Sequence, residues 1–84
     1  MKYKELDVWR RAVALSVGVY RELSDLKDFG FRDQIARSSL SVPSNIAEGY
    51  ERETNKELIR FLYIAKGSCG ELHTQIIIGE KIGY

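Results

Sequence analysis

Between residues 6 and 23 the apolar positions Leu6, Trp9, Val13, Val17, Tyr20 and Leu23 recur every third or fourth residue, the repeat of one face of an α-helix. This predicts a first helix over about 5–24, ended in Asp25 to Gly30, where Asp28, Phe29 and Gly30 supply turn chemistry. Phe31, Ile35, Ser38, Val42, Ile46 and Gly49 keep the same period across Pro43, so a second helix is expected over about 31–48, bent at the proline. There Pro43 deletes the bond to the Ser39 carbonyl, and Ser38, Ser39, Ser41 and Ser44 are at hand for the freed backbone groups. The alternative is two short helices, the later one capped by Asn45 with Glu48 three residues on. Residues 49–53 make the connection, and Thr54 with Glu57 forms a capping box that opens a third helix over about 55–82. Its stripe is Leu58, Phe61, Leu62, Ala65, Cys69, Leu72, Ile76 and Gly79, a run of about 40 Å at 1.5 Å per residue. The expected fold is therefore all-α, an antiparallel up-down bundle forming one domain over 1–84.

Each helix also carries a second stripe beside or opposite the first. On the first helix it is Val8, Ala12, Leu15 and Val19; on the second, Ala36, Leu40, Pro43 and Ala47; on the third, Tyr63, Gly67, Gly70, Thr74 and Ile77. Glycine inside a helix costs about 1 kcal/mol relative to alanine, so Gly67 and Gly70, close to one turn apart, point to close approach by another helix. Val8, Leu15, Val19, Leu40, Tyr63, Gly67, Gly70 and Ile77 are accordingly the candidate contacts between copies of the chain. The second stripes read either as scattered surface apolars, which every protein carries, or, because all three helices repeat them, as packing beyond a three-helix core, of which a homo-oligomer is the economical source.

Composition narrows the choice. At 84 residues the chain holds one small core, hiding about 60–65% of the surface its unfolded form exposes, and such domains lean on disulfides, metals or oligomerisation. Cys69 is the single cysteine and His73 the single histidine, which rules out an internal disulfide and a Cys/His zinc cage. No cofactor is expected. Apolar runs stop at five residues, too short for a membrane span, and the first seven residues lack the apolar core of an export signal. A cytoplasmic protein with no membrane partner is the expectation. Thirteen basic against twelve acidic residues exclude nucleic-acid binding by bulk charge, although residues 1–37 hold eight basic and six acidic groups and so place any positive surface in the first half.

Leu6-Asp-Val-Trp9, Gln34-Ile-Ala-Arg37, Ser41-Val-Pro-Ser-Asn-Ile-Ala-Glu-Gly49 and Arg60-Phe-Leu-Tyr-Ile-Ala-Lys-Gly-Ser68, followed by Glu71-Leu72, resemble the four-helix-bundle family first noticed in intervening sequences of bacterial 23S ribosomal RNA genes. The resemblance covers nearly the whole chain. It implies an antiparallel bundle that assembles into a ring, typically a homopentamer. It also implies relatives that assist the reverse transcriptases of diversity-generating retroelements, where a basic face of the ring engages nucleic acid. The pattern would turn after Tyr84 and add a fourth helix, which is absent here. A fragment, a natural remnant, or a groove filled by a protein partner each accounts for that.

Candidate chemistry is sparse. A nucleophile needs a base and an orienting group, and the lone His73 reads as a surface residue, so no enzyme is expected. Cys69 lies on the core stripe and reads as a small buried hydrophobe. The polar series Arg37, Ser41, Ser44 and Glu48, with Asn45 beside it, reads either as structure or as a ligand site. In the structural reading Ser44 and Asn45 tie down the Pro43 bend and Glu48 pairs with Arg60; in the other, Asn45 and Glu48 hold a ligand. For RNA or DNA the best strip is Arg10, Ala14, Gly18 and Arg21, with Arg11, Lys2 and Lys4 nearby, against which Asp7 and Glu22 on the same face argue for a merely solvated surface.

Overall fold

The computed structural model describes residues 2–84. A 3-10 turn, Lys2–Glu5, precedes three helices: α1, Asp7–Glu22; α2, Phe29–Tyr50; and α3, Asn55–Ile82. Leu6 is extended and separates the turn from α1, so the first helix begins later than its apolar repeat suggests. α2 starts earlier than expected because the Asp28 side chain caps it, accepting from the Phe31 amide at 3.2 Å. It runs unbroken through Pro43 to Tyr50, which excludes the two-helix alternative. Thr54 Oγ1 accepts from the Glu57 amide at 3.2 Å and opens α3. Gly83, at φ 100°, closes α3 in the left-handed conformation, and the Tyr84 amide returns to the Gly79 carbonyl at 2.9 Å.

The helices alternate in direction. Gly49 lies against Leu58 and Phe61 while Gly79 lies against Phe31, so α2 and α3 run antiparallel. A Cβ at Gly49 would sit 3.0 Å from that of Phe61 and 3.3 Å from the Leu58 carbonyl, which is why the helices cross at a glycine. The core has two clusters. One joins Ala12, Val42, Ile46 and Ala65, with Leu6, Trp9 and Leu62 packed on it. The other joins Val19, Ile35 and Leu72, flanked by Leu23, Phe31 and Ile76. Because Ala12 goes with Ala65 and Val19 with Leu72, α1 and α3 run in the same direction, both against α2.

α2 is the central element. Among the described residues no Cα of α1 comes within 8 Å of one in α3; the two meet only through side chains over α2. The chain is correspondingly open, with a radius of gyration of 13.8 Å where about 12 Å is expected for its length.

Candidate interaction surfaces

α1 is rotated from its expected orientation. Ala12, Ser16 and Val19 are its buried residues, whereas Val17 is 42% and Tyr20 50% exposed. Val19, expected at an interface between copies, is therefore a core residue held between Ile35 and Leu72. The cause is Ser16. Its hydroxyl donates to the Ser39 carbonyl at 2.7 Å, and Ser39 is the residue whose backbone acceptor Pro43 leaves without an amide partner. A hydroxyl from α1 thus occupies the gap in the α2 ladder, and α1 must turn its serine inward to do so. The α2 serines that stood at hand for this backbone do not supply the donor: Ser39 Oγ bonds the Ala36 carbonyl, and Ser44 is exposed. Ser16 was absent from the candidate residues. Its signal was its position, one turn from both Ala12 and Val19.

The polar series on α2 faces α3 on the side away from α1. Asn45 Nδ2 donates to the Ser41 carbonyl at 2.7 Å and to Ser41 Oγ at 2.8 Å, and Ser41 Oγ meets Ser68 Oγ at 2.8 Å. Ser38 Oγ lies 3.1 Å from both the Gln34 carbonyl and Glu71 Oε1, with one proton to give. Glu48 pairs with Arg52, not with Arg60. Because α2 continues to Tyr50, Arg52 follows Glu48 by one turn and also reaches Glu57 at 3.8 Å, while its guanidinium and that of Arg60 both lie over the Phe61 ring. This arrangement links helices. It offers no acid–base pair aimed at a vacant site.

Both flanks of α1 are apolar and open. Toward α3, Ala14, Leu15, Gly18, Val19 and Leu23 with Ile35 and Ile76 line a groove of about 400 Å³, with Glu22 the charged residue at its edge. On the other flank, Val13, Val17, Tyr20, Leu40 and Pro43 line one of about 390 Å³. Cys69 is exposed, contrary to the core expectation, because α1 does not reach the part of α3 that carries it. Val8, Leu15, Leu40, Tyr63 and Ile77 are exposed, and a Cβ at Gly67 or Gly70 would meet nothing within 4 Å. No close helix approach within the chain accounts for those two glycines.

The candidate basic residues Lys2, Lys4, Arg10, Arg11 and Arg21 are all exposed. Arg10 Nε donates to the Lys4 carbonyl at 2.8 Å, which brings the 3-10 turn carrying Lys2 and Lys4 alongside α1 without neutralising either charge. Arg11 lies 3.9 Å from Asp7, and Arg21 has no acidic partner among the described residues. His73 is exposed. Among the described residues no three metal-ligating side chains converge, and no helix is long and apolar enough to cross a membrane. At the end of α3 the Tyr84 hydroxyl donates to Asp28 Oδ2 at 2.7 Å and its ring packs edge-on to Phe31. That bond, with the Phe31 amide, lowers the Asp28 carboxyl below its ordinary value, and it raises the Tyr84 phenol above its own.

The sequence model of the 23S rRNA-intervening sequence proteins matches residues 4–84 of this chain. No curated protein matches it.

Proposed function

The chain belongs to the 23S rRNA-intervening sequence protein family, and on that premise we propose that it is a non-enzymatic interaction module that works by associating with copies of itself. One observation carries this reading. The chain exposes 6148 Å² of surface at a mass of 9.6 kDa, about 1,000 Å² more than the roughly 5,100 Å² of a compact monomer of that mass. A standard protein interface covers about 800 Å² on each partner, so the excess is of interface size, and exposed Leu15, Val17, Tyr20, Tyr63 and Ile77 on α1 and α3 supply apolar surface for it. The homopentameric ring and the partner helix in the α1–α3 groove are particular forms of this reading. Sedimentation of the purified chain tests it: masses above one copy at micromolar concentration are expected, and a lone subunit at every concentration removes it.

A second reading adds nucleic acid as the cargo. It is favoured by Arg10 and Arg21, whose charges no acidic side chain compensates among the described residues. It expects retention of RNA or DNA that falls steeply with salt and is lost in the Arg10→Glu, Arg21→Glu double variant. Binding indifferent to salt would exclude it.

A further inference from the structure

The seam between α2 and α3 opens outward into a notch of about 310 Å³ lined by Gln34, Arg37, Ser38 and Ser41 of α2 and by Ser68 and Glu71 of α3. Counting protons shows what the seam leaves over. Asn45 spends both amide protons on Ser41, one on its carbonyl and one on its hydroxyl oxygen. Ser41 Oγ and Ser68 Oγ stand 2.8 Å apart, and of their two protons one lies between them. The other meets no acceptor among the described residues, so one hydroxyl donor is left for the notch. The Glu71 end is short of donors instead. Its Oε1 shares the Ser38 proton with the Gln34 carbonyl and lies 3.4 Å from the Gln75 amide, and its Oε2 receives nothing among the described residues. No ion pair or hydrogen bond engages the Arg37 side chain among the described residues, although it lines the same notch as Glu71.

We propose that this notch binds a free amino acid as its zwitterion, the carboxylate held by Arg37 and the spare serine hydroxyl and the ammonium held by Glu71. The site binds and performs no chemistry. One copy of the chain supplies every group, so the inference stands apart from the association reading.

The walls select the ligand class. A phosphate or a simple carboxylate would meet Glu71 and a polyamine would meet Arg37, each at the cost of a like charge; a ligand carrying both charges satisfies both. A nucleobase or an apolar body needs a face to stack on, and no aromatic or aliphatic residue lines the notch. Spacing agrees. Ser38 is level with Glu71 and Ser41 with Ser68, and three residues of helix separate the two levels by about 4.5 Å. With a hydrogen bond at each end, one α-amino acid bridges them. The receiving atoms are also held in advance: Asn45 fixes Ser41, and Ser38 with Gln75 fixes Glu71, which lowers the ordering cost of binding. Gln34 at the rim offers both a donor and an acceptor, which suits a small hydroxyl side chain.

The experiment is a titration of the full chain with L-serine, followed in nitrogen–proton NMR spectra that also report the fold. Saturable shifts are expected at the amides of Ser38, Ser41, Ser68 and Glu71, with a Kd on the order of 1 mM, as befits two charge-assisted contacts in an open site. Acetate and methylammonium, which each carry one of the two charges, are expected to bind about tenfold more weakly or not at all. Glu71→Gln keeps an acceptor for Ser38, and Arg37→Ala removes an exposed side chain with no partner in the fold, so both variants should give the parent's spectrum. Each is expected to weaken L-serine on the order of tenfold. Shifts that never saturate, acetate or methylammonium binding as well as L-serine, or an affinity that either variant leaves unchanged overturns the site. So does a chain that binds no L-serine while Arg37 and Glu71 prove coupled in a double-mutant cycle of stability, since the two then pair directly with each other.

Discussion

Pro43 leaves the Ser39 carbonyl without an amide, and Ser16 supplies the missing proton donor from another helix. Both groups are buried, Ser39 completely, so removing the hydroxyl strands an acceptor that water does not reach. Ser16→Ala is expected to destabilise the fold by about 1–3 kcal/mol in urea unfolding. Pro43→Ala restores an amide in hydrogen-bond register with the Ser39 carbonyl, and in that background Ser16→Ala is expected to cost much less; equal costs in both backgrounds would disprove the coupling. The Asp28–Tyr84 bond makes a different kind of prediction. A lowered carboxylate contributes stability that is present above its ordinary value of 3.8 and lost as pH falls through the lower folded value. A raised phenol contributes stability that is present below 10.0 and lost as pH rises through the higher folded value. The stability difference between the parent and Tyr84→Phe should then be flat from about pH 5 to 9 and vanish in strong alkali, a profile that urea midpoints at several pH values will read.

The glycines behave oppositely according to which face of a helix they occupy. Gly49→Ala puts a methyl group against Phe61 and the backbone of Leu58, so it should lower the thermal midpoint despite alanine's better helix propensity. Gly67→Ala and Gly70→Ala meet open space within the chain and should each stabilise it by about 1 kcal/mol; destabilisation in dilute solution would mean that contacts within the chain close over them. Helix number, the Thr54 start and the continuity across Pro43 were legible because each follows from a local rule, periodicity or capping. The rotation of α1 was not. The buried face lies between the two stripes: Ala12 and Val19 come from one, Trp9 and Leu23 from the other, and Ser16, a polar residue that belongs to neither, is buried among them. The Glu48 partner was missed for a related reason: extending α2 to Tyr50 brings Arg52 within one turn, a helix-end effect that residue spacing alone leaves ambiguous. The exposure of Cys69 follows from the gap between α1 and α3, a tertiary property with no local signature.

At the scale of the molecule, one central helix carries two others that barely meet, and each flank of α1 is left to solvent. A helix held on one side only contributes little to its own stability, since most helical stability in proteins comes from packing an apolar face. α1 and α3 should therefore gain from any contact that covers the flanks, and if that cover is another copy of the chain, folding and association become one equilibrium. The thermal midpoint then depends on protein concentration, because mass action favours the associated native state. For a chain of this length, a tenfold rise in concentration should raise the midpoint by roughly 3–5 °C if the assembly is the main folded species. Scanning calorimetry over two decades of concentration measures this directly. A midpoint that climbs with concentration would tie the stability of the fold to association. A concentration-independent midpoint would mean that the three helices sustain themselves with their flanks wet.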